Sequence, residues 1–139
     1  MLIEEAMDLY KNLRLMHYQS LFGRIHEKEG SLSATEAFSV DAIYILNAPT
    51  IKQFSDFLGI SQPNASYKLN NLVAKGYVKK VPSEDDHREY HLYVAEKFYS
   101  YYDEKNTFLR DAVEKLETSY NSQQLELFEK MLRDLNESL

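Results

Sequence analysis

The stretch of chain from Ser61 to Val81 contains no acidic residue, although the protein has 22 aspartates and glutamates and a net charge of −6. It is rich instead in amides, hydroxyl groups and lysine. Amide side chains can donate and accept hydrogen bonds together, as the edges of nucleobases require, and lysine or tyrosine can hold phosphate. The candidate contact residues here are Ser61, Gln62, Pro63, Asn64, Ser66, Tyr67, Lys68 and Asn71.

A second cluster of charged residues lies in the sequence KVPSEDDHRE, which begins at Lys80. Asp86 precedes Arg88 by two residues, so we expect its carboxylate to hold the guanidinium in an extended orientation. An arginine oriented in advance loses less entropy on binding. Glu84 and Asp85 have no role in this arrangement. The candidate contact residues of this region, counting Lys79 just before the cluster, are Lys79, Lys80, Asp86, His87 and Arg88.

Two capping boxes mark the starts of helices upstream of the acid-free stretch. Ser33 with Glu36 forms one, and Thr50 with Gln53 forms the other. In a capping box the two side chains satisfy backbone N–H groups at the helix start. The second of these helices should end at Gly59, a residue type suited to a left-handed C-cap. We expect it to turn Ile51, Phe54, Phe57 and Leu58 inward.

The acid-free stretch itself begins as a helix. Ser61 is its N-cap, Pro63 falls in the first turn, and Lys75-Gly76-Tyr77 ends it as a Schellman motif does. Helical periodicity places Ala65, Leu69, Leu72 and Val73 in an apolar stripe. The side chains predicted to point away from that stripe are Pro63, Asn64, Tyr67, Lys68, Asn70 and Asn71.

Two segments with a period of two residues follow, at 77–81 and 89–94, and indicate a β-hairpin whose loop is 82–88. Two short helices joined by a tight turn and followed by a hairpin form a winged helix-turn-helix. In this DNA-docking unit the second helix enters the major groove and the wing lies against the backbone or the minor groove. The alternative is a winged-helix protein-interaction module without DNA binding. The acid-free, lysine-bearing helix favours DNA.

Longer amphipathic helices are predicted on both sides of this unit. Apolar residues recur at helical spacing over 3–26 and 96–118, and a last helix begins near Asn121. These helices carry more apolar side chains than one small core needs, and the last stripe has coiled-coil spacing. We therefore expect a homodimer.

The sequence KLNNLVAKGYVKKVPSEDDHREYHLYVAEK resembles the signature region of the MarR (multiple antibiotic resistance regulator) family of bacterial transcription factors. The residues that carry the resemblance are Leu72, Gly76, Tyr77, Val78, Asp86, Arg88, Leu92 and Val94. It implies a mainly α fold with a small β-hairpin wing, a winged helix-turn-helix flanked by N- and C-terminal dimerisation helices. Residues 1–139 would form one domain, with the winged helix-turn-helix at 33–94 and the dimerisation helices at 1–30 and 95–139.

The resemblance further implies a ligand-responsive homodimeric repressor that binds a pseudo-palindromic operator in double-stranded DNA. Within the family the helix end and the wing most resemble regulators of fatty-acid synthesis genes in Gram-positive bacteria. One departure is Asp86-His87-Arg88, where the family often has Asp-Arg-Arg. The loss of one cation at neutral pH predicts a weaker or more pH-sensitive attraction to the DNA backbone.

Family members bind small effectors between the dimer region and the DNA-binding unit, and this chain has 11 tyrosines. Tyrosine can stack on such a ligand and donate a hydrogen bond to it. The candidate effector-site residues are Tyr10, His17, Tyr44 and Tyr101. Equally, the tyrosines are explained as large core and interface residues.

Composition excludes several other classes of protein. The chain has 139 residues, 44% of them hydrophobic, and no cysteine. It should therefore be globular and lack disulfides, zinc–thiolate sites and thiol-based sensing.

No apolar run is long enough to span a bilayer and the N-terminus lacks the features of a signal peptide, so we expect a cytoplasmic location without membrane contact. Because the chain has no phosphate-binding glycine loop, serine nucleophile elbow or histidine pair spaced for a metal, we expect no enzymatic activity, metal or cofactor.

Overall fold

The computed structural model describes residues 1–22, 32–99 and 108–139. The chain divides into two compact units, Met1–Asp103 and Glu104–Leu139. The helices of the first unit are α1 (Leu2–Phe22), α2 (Ala34–Leu46), α3 (Ile51–Leu58), α4 (Gln62–Ala74) and α5 (Glu96–Tyr99). Between α4 and α5 lie the strands β1 (Val78–Pro82) and β2 (Tyr90–Val94), and the second unit contains α6 (Phe108–Ser119) and α7 (Ser122–Glu137).

The predicted capping boxes are formed, so that local sequence fixes where α2 and α3 begin. The Ser33 hydroxyl accepts from the Glu36 N–H at 3.2 Å, and the Glu36 carboxylate accepts from the Ser33 N–H at 3.0 Å. Thr50 and Gln53 make the same reciprocal pair at 3.1 and 2.9 Å. Asn121 caps α7 in the same manner, where the sequence predicts the last helix to begin.

The two strands pair in antiparallel register from Val78 opposite Val94 to Pro82 opposite Tyr90. β1 begins at Val78 rather than Tyr77, because the Tyr77 N–H belongs to the Schellman motif at the end of α4, and β2 begins at Tyr90 rather than Glu89. The Leu92 N–H donates to the Pro49 carbonyl at 2.8 Å, which ties the hairpin to the segment between α2 and α3.

The core of the first unit lies where α2, α3, α4 and the hairpin meet. Periodicity of α4 predicts its buried face well, since Ala65, Leu69 and Leu72 are fully buried. Other elements contribute Val40, Ile43, Phe54, Tyr77, Val78, Leu92 and Phe98. Packing of α4 against this core determines the direction in which its outward face points.

Two residues predicted to be buried are not. Phe57 is 61% exposed and Val73 is 38% exposed. Ser55 takes the inward position on α3, where it is 1% exposed and its hydroxyl donates to the Lys52 carbonyl at 2.8 Å. A small residue with its own hydrogen bond therefore fits against the core while Phe57 is turned outward.

The long flanking helices are present within the described residues. The first helix, predicted to run to about residue 26, is described as α1 to Phe22, and 23–31 lie outside the described residues. The predicted helix at 96–118 corresponds to α5 and α6, and 100–107 lie outside the described residues. Of the helices that the structure describes, none has the length and apolar character to cross a membrane.

Candidate nucleic-acid interface

The turn between α3 and α4 determines how α4 is presented. Gly59 caps α3 with φ +67°, a left-handed conformation that glycine adopts at little cost. Two residues later the Ser61 hydroxyl accepts a hydrogen bond from the Asn64 N–H at 3.3 Å and starts α4. Because Ala65 is fully buried, the side chains on the opposite side of α4 face outward.

Most of the predicted contact residues of α4 lie on that outward face. Tyr67 is 71% exposed, whereas Ser66 and Lys68 are half-buried. Asn70 is exposed as well, although it is missing from the predicted contact set. Asn70 follows Tyr67 by three residues and therefore lies on the same face of the helix, which could have identified it from the sequence. The predicted contact residues that are exposed are Ser61, Gln62, Pro63, Asn64, Tyr67 and Asn71.

Lys68 lies at an open groove of about 340 Å³ between α4 and the start of α2. The residues of α4 that line the groove include Asn64, Tyr67, Lys68 and Asn71. Thr35 and Glu36 line it from the first turn of α2. The cation and the amides of α4 therefore form one surface that continues onto α2.

The carboxylate of Glu36 at this groove is paired with a lysine. Lys75 Nζ lies 2.8 Å from Glu36 Oε1, and the two side chains are 31% and 18% exposed. Burial alone would raise the pKa of Glu36, but hydrogen bonds from Lys75 and from the Ser33 N–H outweigh it and lower the pKa below its ordinary value. Glu36 is therefore ionised at neutral pH, and its charge is balanced locally.

The adjacent lysines of β1 lie on opposite faces of the hairpin, as alternation along a strand requires. Lys79 pairs in register with Tyr93 and is exposed. Lys80 pairs with Leu92 on the face that meets the core, and it is half-buried. The Lys80 ammonium donates to Asn70 Oδ1 at 3.2 Å. The two wing lysines therefore have different surroundings, which the sequence analysis did not distinguish.

The predicted contact between Asp86 and Arg88 is formed at the wing tip. Asp86 Oδ1 accepts from the Arg88 backbone N–H at 3.0 Å and from Arg88 Nε at 3.4 Å. The Arg88 side chain is 94% exposed, so the guanidinium extends into solvent while its Nε is hydrogen-bonded to Asp86. Glu84, Asp85 and His87 are also exposed.

A histidine links the wing to the start of α3. His91 Nδ1 lies 3.0 Å from the Ala48 carbonyl oxygen. Ala48 and its neighbour Asn47 have φ values of 56° and 58°, a left-handed region that residues with a Cβ seldom occupy. Together with the bridge between Thr50 and His91, this contact connects the hairpin to the helix-turn-helix.

Three of the four predicted effector-site residues, Tyr10, His17 and Tyr44, lie among the described residues. Tyr10 is 55% exposed, and the Arg14 guanidinium lies 5.3 Å from its ring centroid. Tyr44 packs against the rings of Phe98 and Tyr99 at centroid distances of 5.3 and 6.3 Å. Tyr101 lies outside the described residues.

His17, the remaining effector-site candidate, contacts a carboxylate that the sequence analysis missed. His17 Nε2 lies 3.3 Å from Asp41 Oδ2, whose side chain is 8% exposed. The contact joins α1 to α2. Among the described residues no cluster of three or more histidines and acidic residues could hold a metal ion.

The comparison with known families covers this same surface. The sequence model of the MarR family matches residues 39–89, from α2 through α4 to the end of the wing loop. Over these residues the chain is similar to the MarR family. No curated protein matches the sequence.

Solved structures of MarR-type proteins are similar over nearly the whole chain. Streptococcus pneumoniae FabT, solved in complex with DNA, is 25% identical with a TM-score of 0.61, covering 98% of this chain and 93% of its own. A mutant MarR from E. coli, complexed with operator DNA, is 15% identical with a TM-score of 0.53, covering 97% and 98%. S. aureus MepR bound to ethidium bromide is 13% identical with a TM-score of 0.53, covering 95% and 94%. The predicted fold class, mainly α with a β-hairpin wing, is confirmed.

Proposed function

We propose that this chain is a sequence-specific, DNA-binding transcriptional regulator that acts as a homodimer. The observation that carries the proposal is the outward face of α4, where amides, Tyr67 and Lys68 lie in a stretch without acids, next to a wing with an extended Arg88. The MarR family match spans the same residues. The similarity to FabT in its complex with DNA supports the same function. A winged-helix module that binds only proteins gives no reason for the acid-free face.

In this proposal α4 enters the major groove and the wing contacts the flanking backbone or minor groove. Asn64 and Asn71 face base edges, because an amide can both donate and accept there. Lys68 contacts phosphate from the groove beside α2. Lys79 and Arg88 contact the backbone or minor groove from the wing.

The homodimer is supported by apolar surface that one chain leaves uncovered. In α1 only Leu21 is buried, while Met7 and Leu9 are 56% and 51% exposed. In α7 Met131 and Leu135 are 54% and 55% exposed. A second copy of the chain would remove this surface from water. Two-fold symmetry would then present two α4 helices to half-sites about one helical turn apart.

The regulator acts most simply as a repressor in the cytoplasm, because a bound dimer blocks access of polymerase to the promoter. An effector that favours a different spacing of the two α4 helices would release it. Tyr10, His17, Tyr44 and Tyr101 remain the proposed effector-site residues. Enzymatic activity, a metal and a cofactor are not part of the proposal.

Selection of bound duplexes from a random DNA pool tests this function. We expect an enriched pseudo-palindromic motif, and affinity for it that falls with salt because phosphate contacts release counterions. Lys68→Ala should weaken binding to all sequences alike and reduce the slope of log affinity against log salt by about 1.8, since each of the two protomers loses one phosphate contact worth about 0.9.

Lys115→Ala is the matched control, because Lys115 is exposed on α6 and the charge change is the same. It should leave the salt slope unchanged. If the two variants behave alike, Lys68 does not contact phosphate. A wild-type protein that enriches no motif and passes through heparin at low salt would favour the protein-interaction module.

A further inference from the structure

The contact between Lys80 and Asn70 joins the wing to the exposed face of α4. Lys80 Nζ lies 3.2 Å from Asn70 Oδ1. Lys80 is half-buried on the face of β1 that meets the core, and Asn70 is exposed, three residues after Tyr67 on α4. A cation expected to bind phosphate is thus directed at an amide of α4.

The chemistry of the two groups fixes the orientation of the amide. An ammonium has donors and no acceptor, so Asn70 must turn its carbonyl oxygen towards Lys80. The NH₂ group of Asn70 then points away from the ammonium. A flip of the amide would bring two donors face to face and lose the hydrogen bond.

Orientation matters because the two purines present different patterns in the major groove. Adenine offers the N7 acceptor and the N6 donor, which a freely turning asparagine matches with both ends of its amide. Guanine offers two acceptors, N7 and O6. An asparagine whose oxygen is held elsewhere presents donors, and these match guanine better than adenine.

We propose that Lys80 is a positioning residue that orients the Asn70 amide, so that α4 favours guanine over adenine at the base pair that Asn70 faces. This inference rests on the proposed function, since it assigns a specificity determinant within the DNA interface. It also separates the two wing lysines. Lys79, exposed opposite Tyr93, remains a backbone contact, whereas Lys80 acts through Asn70.

The test is selection of bound DNA from a random pool with wild type, Asn70→Ala, Lys80→Met and Lys79→Met. Asn70→Ala should lose the preference at one position of each half-site. Lys80→Met frees the amide, and should reduce the guanine-over-adenine ratio at that same position by about five-fold, the lower end of what one bidentate base contact contributes. Lys79→Met should keep the motif and weaken all sequences alike.

Two further variants separate positioning from a merely structural role. Lys80→Arg should keep the guanine preference, because a guanidinium also has only donors. In an Asn70→Ala background, Lys80→Met should have no further effect on base preference, whereas the effect of Lys79→Met on affinity should persist.

The inference is overturned if Lys80→Met, like Lys79→Met, leaves the motif unchanged, weakens all sequences equally and reduces the salt slope by about 1.8, as the loss of one phosphate contact from each protomer does. In that case the proposed function stands. A wild-type protein that enriches no motif overturns both the inference and the proposed function.

Discussion

At the wing tip, one carboxylate oxygen organises both the backbone and the side chain of Arg88. Asp86 Oδ1 accepts from the Arg88 N–H and from Nε, although 94% of the arginine side chain is exposed. An ion pair this exposed contributes little to folding. In the proposed function it restricts the guanidinium before DNA binds, which would lower the entropy lost on binding. We therefore expect this negative charge in the wing loop to favour binding.

Asp86→Ala should lower DNA affinity by about five-fold per half-site, which lies within the roughly 0.5–1.5 kcal/mol that immobilising one side chain costs on binding. The sign is opposite to that expected from removing a negative charge near phosphate. Asp85→Ala, at an exposed neighbour in the same loop, should raise affinity slightly. Fluorescence anisotropy with a labelled operator at fixed salt measures both. Equal gains in affinity for the two variants would show that Asp86 acts only as a repelling charge.

Glu36 provides a pH-dependent contribution to stability through its contact with Lys75. Because its pKa is lowered in the folded state, its stabilisation is fully present above the unfolded-state pKa of about 4.3. It is lost as the pH falls through the lower folded-state pKa. Glu36→Gln keeps an oxygen for the Ser33 N–H but removes the charge.

We expect Glu36→Gln to reduce the free energy of unfolding by about 1 kcal/mol at pH 7. The difference from wild type should vanish as the pH falls through the pKa of Glu36. Urea unfolding at several pH values measures it. Glu129→Gln is the control, because Glu129 pairs with Arg133 at 2.8 Å on an exposed part of α7 and should have a smaller effect. A difference for Glu36→Gln that does not change with pH would contradict the charge argument.

At the scale of elements, the junction between α4 and β1 relates the reading helix to the wing. The Gly76 N–H donates to the Val73 carbonyl and the Tyr77 N–H to the Leu72 carbonyl, both at 3.0 Å, which is the Schellman pattern. Gly76 has φ +82°. This left-handed residue reverses the chain so that β1 begins at Val78.

Gly76→Ala should reduce the free energy of unfolding by about 1 kcal/mol, because a Cβ disfavours the left-handed conformation. Steric overlap is not the cause, since the added Cβ would meet Lys97 Cδ at 3.8 Å, an ordinary contact. Gly76→Asn should lose less stability, as asparagine tolerates this conformation better. Chemical denaturation at neutral pH compares the three proteins. If Asn and Ala variants are equally destabilised, the conformational explanation fails.

Among the helices and strands, local motifs were predicted more accurately from the sequence than the limits of the buried faces. Capping boxes and the Schellman motif involve residues a few positions apart, so that they were predicted and found. The inward faces of α3 and α4 were predicted correctly at their centres but not at their edges, where Phe57 and Val73 are exposed. Whether an edge residue is covered depends on the neighbouring element, which helical periodicity does not specify.

At the scale of the whole molecule, the long helices carry the exposed apolar surface on which the proposed dimer rests. Leu135 on α7 is 55% exposed, and apolar area left in water is a driving force for association of about 25 cal/mol per Å². In the proposed function dimerisation also determines DNA affinity, because two half-sites would be bound only when two α4 helices are held together.

Leu135→Lys should weaken the dimer at least ten-fold and lower affinity for a two-half-site operator, since a charge would enter an apolar interface. Sedimentation velocity over a range of protein concentrations measures the monomer–dimer equilibrium. Val81→Lys is the matched control, because Val81 is 43% exposed in the wing and receives the same new charge. A similar loss of dimer in both variants, or in neither, would contradict the assignment of α7 to the interface.

The sequence by itself determined the order of the elements, the helix caps, the glycine turns and the outward face of α4. Each of these depends on side chains within a few residues of one another or on helical periodicity. The Asp86–Arg88 contact also belongs here, since two residues separate its partners.

Only the tertiary structure decided which distant groups meet. Glu36 binds Lys75, His17 contacts Asp41, and Lys80 of the wing binds Asn70 of α4. Helix and strand periodicity restrict the face on which each side chain lies, but not the element packed against that face. Adjacent lysines that look equivalent in sequence are therefore separated by the sheet, one towards solvent and one towards the reading helix.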